Sequence, residues 1–139
     1  MSSQNVILLI EDDANDAFFL ERALEEVGFP GKLAHFTDTD LAKEYLSGDN
    51  PTPQVIIADS AVSPRGSGVD LLEWVRQGNI ASSAPFIIMT GGMEESVIRR
   101  AEKAGVHCIF TKAGSYKKTA EQLRQVFSTL PAEQRDWLK

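Results

Sequence analysis

The stretch Leu8-Leu9-Ile10-Glu11-Asp12-Asp13 constrains this chain more than any other. A wholly apolar, branched run, Val6 to Ile10, ends in three consecutive acids, and a helix-like segment follows at once. An apolar run without alternation reads as a strand buried on both faces, as in a parallel sheet. A buried strand that empties into a carboxylate cluster is costly, because like charges at close range repel and resist desolvation. A counter-charge is needed there, either a Lys or a divalent metal ion. Hard cations such as Mg²⁺ take oxygen ligands, commonly one or two carboxylates together with a phosphate.

The pattern of the first strand recurs. Lys32 to Phe36, Gln54 to Ala58, Phe86 to Met89 and His107 to Phe110 read as four further strands. Between them lie segments with apolar residues near helical spacing. Asp13 or Asn15 can cap the first helix, which carries Phe18, Leu20, Leu24 and Val27 and stops at Gly28. Thr37 or Asp38 starts the second, which ends near Gly48. Val69 to Val75 belongs to the third, Glu94 to Ala104 to the fourth, and Tyr116 to Leu130 to the last. Strand and helix alternate five times, which predicts an α/β doubly wound parallel sheet with helices on both faces.

The chain has 139 residues, which fits one domain, with a core over about 6–130 and a tail at 131–139 that has room for a helical turn. Fourteen Lys and Arg against twenty Asp and Glu give a net charge of −6, which argues against direct DNA binding. One cysteine excludes an internal disulfide, and Cys108 reads as an inert thiol in an apolar strand. The N-terminus lacks a signal peptide's basic start and apolar stretch, and no run reaches the roughly 20 residues of a membrane span. The expectation is a cytoplasmic protein without membrane insertion.

The carboxyl ends of the predicted strands carry the chemistry. The first delivers Glu11, Asp12 and Asp13, the third Asp59, the fourth Thr90 and the fifth Lys112. In an open α/β sheet, ligands bind at this edge. Each residue alone has a plainer reading, since an Asp after a strand often only caps a helix. Four strands delivering polar groups to one edge is a pattern that packing alone does not require.

This constellation resembles the receiver domain of two-component response regulators, over roughly Val6 to Leu130. The resemblance implies a flavodoxin-like fold with strand order 2-1-3-4-5. It implies that Asp12 and Asp13 are the metal-binding acidic pair and that Asp59 is the phosphoacceptor. Thr90 matches the switch hydroxyl, and Lys112 the lysine that pairs with the phosphoryl group. The implied cofactor is Mg²⁺ (or Mn²⁺), held by Asp12, Asp13, Asp59 and the backbone carbonyl of Ala61. The implied partners are a sensor histidine kinase or a histidine phosphotransfer protein, and a downstream protein. Such a protein phosphorylates and dephosphorylates itself rather than turning over a substrate. Because no second domain follows, a stand-alone regulator is expected, acting by partner binding or phosphorelay.

Several positions depart from the family's pattern. Ile109 stands where receivers usually carry an aromatic three residues before the lysine, and neighbouring Phe110 should face the other side of the strand. Ala113 stands in place of a common proline, and Pro64 lies one residue later than usual after Asp59. Ala61 and Gly92, small residues near the acyl phosphate, imply that water access rather than a side chain sets its lifetime. His35 reads as surface polar, and His107 lies at the edge away from the site. Trp137 and Leu138 either dock back on the domain or make a partner contact, including one in a homodimer. The alternative function is a phosphorylation-independent, receiver-like interaction module. A phosphohydrolase would need an acid at Ala61, and a flavin carrier would not tolerate so acidic a first loop.

Overall fold

The computed structural model describes residues 5–61, 67–92 and 94–134. Pro64, Trp137 and Leu138 lie outside the described residues. Five strands, β1 (Val6–Ile10), β2 (Lys32–Phe36), β3 (Val55–Asp59), β4 (Phe86–Thr90) and β5 (Cys108–Thr111), form one parallel sheet in the order β2-β1-β3-β4-β5. Five helices connect or follow them: α1 (Ala14–Val27), α2 (Thr39–Ser47), α3 (Gly68–Gln77), α4 (Glu95–Lys103) and α5 (Tyr116–Ser128). The expected fold class and strand order are both present. The tail begins with a single 3-10 turn, Ala132–Gln134. No helix among the described residues is long and apolar enough to cross a membrane.

The sheet divides two cores by strand alternation. Ile7, Leu9, Val55, Ile57, Ile87, Met89 and Phe110 pack under α1 and α5. Leu8, Ile10, Ile56, Ala58, Phe86 and Ile88 pack on the opposite face, with Leu71, Leu72 and Val75 of α3 and Ala101 of α4. All residues of β1, β3 and β4 are buried, as their unbroken apolar runs require. Strand β2 forms one edge of the sheet and is only partly buried.

Local chemistry fixes where the helices start and stop. Asp13 caps α1, its carboxylate accepting from the N–H groups of Asn15 (2.9 Å) and Asp16 (3.0 Å). Gly28 ends α1 with φ of 84°, a left-handed conformation that glycine adopts at no cost. Ser67 and Asp70 open α3 with a complete capping box: Asp70 N–H donates to Ser67 Oγ (3.1 Å) and Ser67 N–H to Asp70 Oδ2 (3.0 Å). The parallel register then aligns the strand ends, with Ile10 beside Ala58, Asp59 beside Met89 and Thr90 beside Thr111.

Candidate functional site

Glu11 continues the backbone path of β1: its N–H donates to the Phe36 carbonyl at 3.0 Å. This carries its side chain inward, where it is fully buried. One residue on, Asp12 is exposed, and Asp13 turns its carboxylate to the helix terminus. The ligand oxygens of Glu11, Asp12 and Asp59 lie within 4.8 Å of one another. The structure brings the Asp12 carboxylate together with that of Glu11, while the Asp13 side chain, expected beside Asp12, caps α1. Asp13 is tied to the group only through its backbone, whose N–H donates to Glu11 Oε1 at 3.0 Å.

Asp59 closes β3 and is almost entirely buried. Its Oδ1 accepts the N–H of Ala61 at 3.1 Å, and its Oδ2 lies 2.8 Å from Lys112 Nζ. Helix α3 starts directly against it: a Cβ at Gly68 would sit 2.5 Å from the Asp59 carbonyl oxygen. Only glycine permits that approach.

Lys112 follows β5, and its N–H donates to the Thr90 carbonyl at 2.8 Å. Its ammonium meets three carboxylates: Asp16 at 2.7 Å, Asp59 at 2.8 Å and Glu11 at 3.0 Å. Burial pulls the Lys112 ammonium toward deprotonation. Its interactions with the Asp16, Asp59 and Glu11 carboxylates outweigh that pull and hold it above the ordinary lysine range. Burial pushes Glu11 up to about 7; the Asp13 N–H and Lys112 act against the rise, and the charge of Asp59 adds to it.

Thr90, at the end of β4, is buried. Its hydroxyl donates to the carbonyl of Gly92, whose N–H returns a hydrogen bond to Oγ1 at 3.2 Å. The hydroxyl is thus engaged within its own loop. Thr90 lines a cleft of about 260 Å³ with Ser60, Ala61, Gly91, Gly92, Glu94 and Val97.

The sequence reading missed two contacts. Asp16, in the first turn of α1, reaches Lys112 across the site. No sequence signal marks that contact, since an acid three residues after a capping residue ordinarily returns to the cap. His35, expected to be surface polar, is exposed but donates its Nε2–H to the Glu11 carbonyl at 2.7 Å. His107 lies away from the site, with Nε2 2.8 Å from Thr129 Oγ1. Ile109 packs on the face of the sheet that carries α3 and α4, while Phe110 packs on the α1 and α5 side, as alternation predicts.

Comparison with known proteins places this geometry in context. Residues 7–124 match the response regulator receiver domain family. A probable methanogenesis regulatory protein, FilR2, of Methanothrix harundinacea is 26% identical over 127 residues, covering 86% of this chain and 81% of the relative. A probable chemotaxis protein CheY of Rhizobium etli is 22% identical, covering 89% and 93%. Among solved structures, the Mn²⁺-bound form of response regulator Rcp1 superposes with a TM-score of 0.79 at 24% identity, covering 92% of this chain and 99% of that one. A response regulator receiver domain from Rhodospirillum rubrum superposes at 0.76 with 26% identity, covering 91% and 95%.

Proposed function

The chain belongs to the response regulator receiver family, and we propose that it is a phosphorylation-operated switch with Asp59 as acceptor. The observation that carries this reading is the Lys112 ammonium held 2.8 Å from a buried Asp59 carboxylate, with Glu11 and Asp12 alongside. The donor would be a phosphohistidine on a sensor histidine kinase or a histidine phosphotransfer protein. The P–N bond to histidine breaks as a P–O bond to Asp59 forms, and the imidazole leaves with the bonding pair and takes a proton from solvent. A carboxylate suffices as nucleophile because a loose phosphoryl transition state needs positioning and charge neutralisation above all.

The acids fit a divalent cation. They offer hard oxygen donors, and one Lys faces four carboxylates in and around the pocket, Glu11, Asp12, Asp16 and Asp59. Glu11, Asp12 and Asp59 would hold Mg²⁺ or Mn²⁺, with the Ala61 carbonyl as a further ligand by family likeness. Bound there, the ion would neutralise charge on the phosphoryl oxygens. Lys112 supplies the permanent positive charge. The Thr90 hydroxyl leaves the Gly92 carbonyl to donate to a phosphoryl oxygen, which couples the Thr90–Gly92 loop and its cleft to the acceptor. Charge-assisted hydrogen bonds of about 1.5–3 kcal/mol each are large enough to shift a two-state equilibrium. A protein partner would read the shifted form.

Titration with beryllofluoride and Mg²⁺, followed by amide NMR, tests the proposal. Binding with shifts at Thr90 and Gly92, lost in Asp59→Asn, is expected. A wild-type protein that does not bind, or an Asp59→Asn variant that still does, overturns it and leaves the phosphorylation-independent interaction module.

A further inference from the structure

The first turn of α1 presents its acid in an uncommon way. Asp16 stands three residues after the capping residue Asp13, the position from which an acid usually returns to the cap's backbone N–H. Asp70 makes that return in α3. In α1 the corresponding N–H, that of Asp13, is already taken by Glu11 Oε1. The Asp16 carboxylate is thereby free to cross to β5 and meet Lys112 at 2.7 Å.

The ammonium has three N–H donors, and three carboxylate oxygens surround it. Hydrogen bonds from the ammonium go to Asp16 and Asp59, and Glu11 Oε2 lies 3.0 Å away as an ion pair. A phosphoryl oxygen on Asp59 therefore meets Lys112 in competition with Asp16 and Glu11. Asp59, once phosphorylated, no longer carries a carboxylate charge, and its phosphoryl oxygens take its place beside the ammonium. The other two differ in what release costs. Glu11 is wholly buried, so release would leave it charged without water. Asp16 is 31% exposed and can be rehydrated.

We infer that Asp16 is a positioning residue, the holding carboxylate that Lys112 gives up when Asp59 carries a phosphoryl group. In the resting form it steadies the ammonium beside Asp59. In the phosphorylated form it is released to solvent, so its grip on Lys112 opposes phosphorylation. This inference rests on the acceptor role proposed for Asp59.

The test is beryllofluoride affinity at saturating Mg²⁺ in the full chain, compared among wild type, Asp16→Asn and Asp13→Asn. Asp13→Asn removes a neighbouring charge while Asn keeps the helix cap, so it measures the general effect of lost negative charge. Asp16→Asn is expected to bind about fivefold tighter than wild type, the scale of one partly exposed competing ion pair. Asp13→Asn is expected to change affinity by less than about twofold, as for an exposed charge that does not touch the ligand. A merely structural role for Asp16 would lower thermal stability without tightening binding. Unchanged or weaker binding in Asp16→Asn, or an equal gain in Asp13→Asn, overturns the inference while the acceptor role stands. Absence of binding by the wild type removes both.

Discussion

Helices α1 and α3 begin with the same spacing, a capping residue and an acid three positions later, yet they do opposite things. In α3, Ser67 and Asp70 satisfy each other, and Asp70 also accepts from Arg100 of α4 at 2.8 Å on the protein's surface. The turn is closed on itself, and its ion pair is half exposed, a class of contact that adds little stability. In α1, Glu11 intrudes on the box, the Asp13 N–H goes to it, and Asp16 is sent into the strand-end pocket. The same local signal therefore makes a self-contained helix start in one place and a charged pocket wall in the other. The deciding residue lies outside the motif, at the end of the preceding strand.

The strongest way to break this contrast is through pH. Glu11 is raised from 4.5 to about 7, chiefly by burial. A raised carboxylate binds its proton more tightly in the folded state. Its destabilising cost is full above about pH 7 and disappears as pH falls toward 4.5. Chelator-treated wild type should therefore be more stable at pH 5 than at pH 8, on the order of 2 kcal/mol, and Glu11→Gln should flatten the profile. Denaturant melts across that range measure both. Asp70 has the opposite sign: its hydrogen bond from Arg100 lowers its pKa, so its contribution is present above about pH 4 and fades as pH falls through the ordinary carboxylate value. A wild-type profile rising with pH between 5 and 8 would sink the buried-acid reading of Glu11.

The contrast sharpens next at the metal. Asp12→Asn should weaken Mg²⁺ binding by about tenfold, as loss of a ligand or its close support does, whereas Asp13→Asn should leave it within about twofold. Calorimetric titration of each variant decides which acid partners the cation. The smallest effect separates the caps: Ser67→Ala should cost about 1 kcal/mol, while Asp13→Asn should cost almost nothing because Asn caps as well as Asp. Thermal melts at fixed pH compare the two.

Much of the fold was written in runs and breaks. Val6 to Ile10 and Lys32 to Phe36 match the observed strands at both ends, because apolar continuity and the following acids or turns bound them. Others drift by a residue: β3 extends to Asp59, β4 to Thr90 and β5 to Thr111, since ladder hydrogen bonds outlast the apolar stretch. Lys112, Asp59 and Thr90 were legible as strand-end groups. Which of the three consecutive acids turn toward Asp59 was not, because they look alike in a sequence. What distinguishes them is backbone direction, which turns Glu11 inward and leaves Asp13 to the helix. Asp16 was hidden for a related reason. Its contact spans 96 positions along the chain, and nothing in the sequence links it to Lys112.

The close seat of Gly68 on the Asp59 carbonyl also bears on how this protein can vary. The chain leaves the sheet at Asp59 and is back against the same residue at Gly68, so both ends of the intervening segment are pinned at one point. Closing a loop on fixed ends costs free energy that grows only with the logarithm of its length, about 0.6 kcal/mol per doubling. Insertions between those ends are therefore cheap, and they need not move Asp59. The segment flanking Asp59 can be lengthened or rewritten while Asp59 and Gly68 keep their contact.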